Sequence, residues 1–157
     1  MAGNLTSQHA LVTGGGRGIG RAVAAALAGA GARVSILGRD AATLEKAVSD
    51  GAAHACAVAD VTDEAATRAA IEQLAADEPF DIVVANAGGA ETAPFVKCDA
   101  ALFRRMLDLN VIGTTTPFHA ALPGMIARGS GRLIAIASTA AHRGYAYGTA
   151  YGAAKHA

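Results

Sequence analysis

Five short runs along the chain are almost continuously apolar: "ALVTG" (Ala10–Gly14), "ARVSILG" (Ala32–Gly38), "AHACAVAD" (Ala53–Asp60), "DIVVANAG" (Asp81–Gly88) and "RLIAIAS" (Arg132–Ser138). A half-buried strand alternates apolar and polar residues. Runs without alternation predict strands covered on both faces, as in a parallel sheet. Between them, Ile19–Gly29, Ala41–Ser49, Asp63–Ala76 and two segments across Ala100–Arg128 carry Ala and Leu at helical spacing. Asp40 and Thr62 are the predicted N-caps of the second and third helices, because their side-chain oxygens can accept from first-turn amides. Gly31 is predicted as the residue that leaves the first helix. Strands and helices in strict alternation predict an α/β fold, a Rossmann-type doubly wound parallel sheet with right-handed crossovers. No linker, repeat or low-complexity tract interrupts the 157 residues, so one domain, 1–157, is expected.

Composition narrows the function classes. With 52% hydrophobic and 17% charged residues the chain is globular rather than disordered. Thirteen basic and thirteen acidic residues cancel, so no global field attracts nucleic acid or an anionic membrane. No apolar run approaches the ~18–20 residues that span a bilayer, and the N-terminus lacks the pattern of a signal peptide. A cytoplasmic protein with idle thiols at Cys56 and Cys98 is the resulting expectation. His9, His54, His119, His142 and His156 show no ligand spacing, so no metal site is expected.

Ligands of open α/β sheets bind beyond the carboxyl ends of the strands. The first run ends in "TGGGRGIG", Thr13–Gly20, and leads into a helix. Amides at a helix N-terminus suit a phosphate, and glycines let the backbone approach it. No window fits G-x-G-x-x-G. A P-loop reading fails because Arg21-Ala22 follows Gly20 where Lys and a hydroxyl are required. Near the other end, "YGAAK" places Tyr151 and Lys155 four residues apart, on one helix face. A nearby cation favours a phenolate, which turns a tyrosine into an acid–base group. Tyr145 and Tyr147 have Thr149 and Tyr151 at that spacing and no cation.

The pattern TGxxxGxG made by Gly14, Gly18 and Gly20 resembles the short-chain dehydrogenase/reductase family. The resemblance recurs at Asp60-Val61, at "ANAG" (Ala85–Gly88), at Asn110 within "LN", at Ser138 and at Tyr151 and Lys155, and it covers Leu11 to Lys155. It implies an oxidoreductase that interconverts a ketone and a secondary alcohol. Ser138 would hold the substrate oxygen, Tyr151 would exchange its proton, and Lys155 would assist Tyr151 and bind the nicotinamide ribose. Asn110 would anchor a water leading from Lys155 to solvent. Gly14, Arg17, Gly18, Ile19, Gly20, Arg39, Asp60, Val61, Asn86 and Gly88, with Tyr151 and Lys155, would hold the dinucleotide, Asp60 at the adenine amine. Two departures, Ala85 for the first Asn of NNAG and Thr139 after Ser138, remove none of these groups. A substrate such as a 3-oxoacyl thioester or a cyclic ketone, and a homo-oligomer, are further implications of the resemblance.

NAD-specific enzymes of this type place a carboxylate at the end of the second strand. That position is Gly38 here, followed by Arg39, with Arg17 in the glycine loop. A guanidinium fork suits a 2′-phosphate, so NADP(H) is expected over NAD(H). The resemblance also implies roughly 80–100 further residues, two more strands and a sheet order of 3-2-1-4-5-6-7. On that expectation "LIAIA", Leu133–Ala137, would have an open edge, and a true 157-residue form would self-associate there with little reductase activity; the alternative reading is an inert dinucleotide-binding fragment that lacks the substrate-binding half.

Overall fold

The computed structural model describes residues 5–157; the first four residues of the expected domain lie outside the described residues. The strands are β1 (His9–Thr13), β2 (Arg33–Gly38), β3 (Ala55–Val58), β4 (Ile82–Ala85) and β5 (Arg132–Ala135). The helices are α1 (Gly18–Gly29), α2 (Ala41–Ser49), α3 (Glu64–Leu74), α4 (Ala100–Leu107), α5 (Gly113–Arg128) and α6 (Thr149–His156). All strand pairs are parallel, in the order β3-β2-β1-β4-β5. The order reverses direction beside β1, which opens a crevice above the β1 and β4 ends.

The continuous apolar runs are explained by cover on both faces. Ala10, Val12, Val34 and Ile36 pack with Ala24 of α1 and Leu44 of α2. Their neighbours Leu11, Leu37 and Val83 point the other way, onto Ile71 of α3 and Met125 of α5. A third cluster seats α6 on α4 through Ala150, Ala154, Leu102 and Met106. The small residues of α6 allow that close approach.

The base of the sheet is pinned by polar groups. The His9 amide donates to the Asp81 carboxylate at 2.9 Å, and its imidazole lies between the Glu78 carbonyl (2.8 Å) and the Ser35 hydroxyl (2.9 Å). Burial pushes the His9 imidazole below its usual value.

Several sequence expectations shift. Asp63, not Thr62, caps α3, accepting from the Ala66 amide at 2.9 Å. The Thr62 hydroxyl is already donated to Asp60 at 2.8 Å. Asp40 caps α2 as expected, and Gly31 sits at φ 96° just past α1. The strands also end earlier than the apolar runs. β4 stops at Ala85 because the Asn86 and Ala87 amides turn to the Thr13 hydroxyl, each at 3.0 Å. β5 stops at Ala135 and is exposed along its whole length, rather than buried. Among the described residues it pairs with β4 alone. The two segments across Ala100–Arg128 meet at a π-helical turn, Asp108–Ile112.

Candidate active site

Thr13, fully buried at the end of β1, joins the two central strand ends. Its hydroxyl accepts the two amides just named, and its carbonyl accepts from Asn86 Nδ2 at 3.0 Å. Asn86 therefore clamps the β4 end against the start of the glycine loop. A Cβ on Gly20 would strike both the Gly14 carbonyl and the Asn86 amide, so only glycine lets α1 start this close. Gly18 differs: it is left-handed, φ 56°, and a Cβ there would meet nothing within 4 Å. Its open side faces outward from the N-terminus of α1, where Arg17 provides no side-chain cap.

Above this loop is a cavity of about 670 Å³. It brings together Gly14, Arg17, Gly18, Ile19, Gly20, Arg39, Asp60, Val61, Asn86 and Gly88 from four strand ends. The open cradle at Gly18, the uncapped helix start and the exposed guanidinium groups suit a long anionic ligand with phosphates. At the far side, Asp60 accepts from the Thr62 amide (3.0 Å) and hydroxyl, and its other oxygen lies 3.6 Å from Arg39. The Thr62 amide, helped by Arg39, holds the Asp60 carboxyl below its ordinary value. Asp40 is committed to the Thr43 amide as a helix cap at 2.9 Å.

Ser138, Tyr151 and Lys155 are not in the wall of this cavity. Lys155 Nζ donates to the Ile136 carbonyl at 3.1 Å and lies 5.9 Å from the centre of the Tyr151 ring. A Cβ on Gly88 would sit 3.7 Å from that Nζ and 2.9 Å from Asn110 Oδ1, so Gly88 is where the cavity meets Lys155 and Asn110. Ser138 follows β5, and its hydroxyl oxygen accepts from the Ala140 amide at 3.1 Å. The short 3-10 turn that it caps, Thr139–Ala141, packs on α6.

Asn110 is 5% exposed within the π-helical turn. Its amide donates to the Gly89 and Met106 carbonyls, both at 3.0 Å, and accepts from the Gly89 amide at 3.3 Å. Its own carbonyl accepts from the Thr114 hydroxyl at 2.9 Å. Sequence reasoning did not single out Thr13 or Gly89. Thr13 could have been found as the residue that opens TGxxxGxG; Gly89 carries no sequence signal of its own.

The short chain dehydrogenase profile matches residues 8–157. The chain is 38% identical over 136 residues to 2-keto-3-deoxy-L-fuconate dehydrogenase of Xanthomonas campestris pv. campestris, covering 87% of this chain and 44% of that one. It is 38% identical over 156 residues to sorbitol dehydrogenase of Cereibacter sphaeroides, covering 98% and 61%. The solved serine dehydrogenase from Escherichia coli superposes with a TM-score of 0.87 at 33% identity, over 95% of this chain and 70% of that one. The chain thus spans about half the length of these curated relatives, 44% and 61%. Matched along nearly all its described length and folded as its relatives are, the chain belongs to the short chain dehydrogenase family.

Proposed function

We propose that the protein is an NADP(H)-dependent oxidoreductase that interconverts a ketone and a secondary alcohol through Ser138, Tyr151 and Lys155. The observation that carries this reading is the continuity at Gly88, where a phosphate-suited cavity adjoins Lys155. The nicotinamide, when bound, supplies or accepts the hydride. The Ser138 hydroxyl holds the substrate oxygen. The Tyr151 hydroxyl gives that oxygen a proton in reduction and takes it back in oxidation. Lys155, fixed by the Ile136 carbonyl, holds its charge beside the tyrosine ring and would bind the ribose hydroxyls of the nucleotide. Asn110 holds the loop after β4 in place beneath them.

Three features support the 2′-phosphate. Gly38 ends β2 without a carboxylate, although a Cβ there would meet only the Leu44 side chain, at 3.5 Å. Asp40 is occupied as a cap. Arg17 and Arg39 line the cavity with exposed side chains. The names of the relatives, a 2-keto-3-deoxy-L-fuconate and a sorbitol dehydrogenase, favour a polyhydroxylated substrate. Titration of NADPH and NADH, followed by nicotinamide fluorescence, tests the cofactor. NADPH should bind tighter and Arg39→Ala should weaken it; tighter NADH binding would overturn the assignment.

A second reading is favoured by the partial coverage of the relatives: these 157 residues bind the dinucleotide, and turnover requires further chain. Nucleotide binding without oxidation of NADPH across a panel of ketones would select it.

A further inference from the structure

Arg39 follows β2 directly, and Asp60 lies two residues beyond β3. Gly38 and Val58 are register partners in these neighbouring parallel strands, so the two charged residues leave the sheet side by side. Both line the cavity at the end away from Lys155. The Asp60 carboxylate cannot turn freely. One oxygen accepts both the amide and the hydroxyl of Thr62, which aims the other at Arg39 Nη1, 3.6 Å away. Arg39 is held loosely: its side chain is 68% exposed, and among the described residues this one long contact leaves most of its five donors unused.

We propose that Asp60 is an intramolecular competitor for Arg39 and thereby sets how strongly the site prefers a 2′-phosphorylated dinucleotide. This rests on the NADP(H) reading above. In the free protein the carboxylate holds the guanidinium against the β3 side of the cavity. A phosphate carries more charge and matches the guanidinium fork, so it takes Arg39 from Asp60 when it binds. The binding free energy is reduced by the pair that must be given up. A nucleotide without the phosphate leaves the pair intact and is not reduced. Asp60 therefore opposes NADPH selectively, beyond any contact with adenine, which both nucleotides share. Its charge also repels a nearby phosphate, in the same direction.

The test is a double-mutant cycle on Arg39→Ala and Asp60→Asn, read as dissociation constants for NADPH, NADH and 2′,5′-ADP. Asn keeps an oxygen for the Thr62 amide and hydroxyl, and both positions are at the surface, so the fold is not at risk. Exposed ion pairs are weak, so Asp60→Asn should raise the preference for NADPH over NADH by roughly 2- to 5-fold. 2′,5′-ADP should tighten by a similar factor, and the preference should lose its dependence on Asp60 once Arg39 is Ala. An unchanged preference in Asp60→Asn, or an equal rise in both backgrounds, would overturn the competition. In those cases weaker NADPH binding by Arg39→Ala would leave the NADP(H) reading standing. If Arg39→Ala does not weaken NADPH, that reading and the competition fail together.

Discussion

Asn110 grips Gly89 from both sides of its backbone, donating to the carbonyl at 3.0 Å and accepting from the amide at 3.3 Å. One side chain thus pairs with both backbone groups of Gly89 and fixes the loop that leaves β4. The π-helical turn is what aims it there. The extra residue in that turn rotates Asn110 inward, and Thr114 takes up its carbonyl. Asn110→Ala removes the side-chain partner of the half-buried Gly89 amide and carbonyl and of the buried Met106 carbonyl. The expected loss is about 1–3 kcal/mol of stability, measured by chemical denaturation. A variant as stable as the parent would show that the loop is held by other contacts.

Thr13 is predicted to matter through its hydroxyl alone. Thr13→Val keeps the shape but deprives the Asn86 and Ala87 amides of their acceptor, whereas Thr13→Ser restores it. Nucleotide affinity should fall with Val and return toward the parent value with Ser. Equal affinities for all three would mean that the β4 end keeps its place without this bond.

Much of this architecture was legible in the apolar pattern, and the exceptions have local causes. Leu11 and Val12 read as doubly buried and are, because helices cover both faces of β1. Leu133 and Ile134 read the same way, yet are 38% and 44% exposed, since burial depends on neighbours that no strand carries in its own sequence. Thr62 and Asp63 are both good caps by type; Asp60 decides between them by taking the Thr62 hydroxyl. The π-helical turn is invisible to periodicity, because one added residue falls between two acceptable helical phases. The residues expected at the cavity are strand-end residues, and the topology alone gathers them.

Gly18→Ala should separate conformation from contact. The position is left-handed but has open space around it, so the fold should lose about 1 kcal/mol and survive. The new methyl group would stand where a phosphate approaches α1. Thermal melts should show the small loss and titration a larger one in nucleotide affinity. Unaltered nucleotide binding would place the phosphates elsewhere.

His9 predicts an acid-side weakness. The Glu78 carbonyl can only accept, so Nδ1 carries the proton and Nε2 accepts from Ser35. Burial lowers the imidazole below its ordinary 6.5, so the unfolded chain takes up a proton first as pH falls. The contribution is complete above about pH 6.5 and is lost below it. The exposed carboxylates of Asp50, Asp60 and Glu91, which are also lowered, act in a separate window near and below pH 4. Denaturation midpoints between pH 8 and 5 should fall on the acid side, and His9→Asn should flatten that slope. A flat profile for the parent would contradict the buried neutral imidazole.

The most direct test of the central claim is the rate at which Tyr151→Phe oxidises NADPH with a ketone that the parent reduces. The substitution removes one hydroxyl and keeps the ring that packs beside Leu102 and Met106. General acid catalysis is worth about 10²–10⁴-fold, and the rate should fall by that factor while NADPH affinity is retained. A Tyr151→Phe protein that keeps most of its turnover would show that the proton comes from another group, and the proposed chemistry would be wrong.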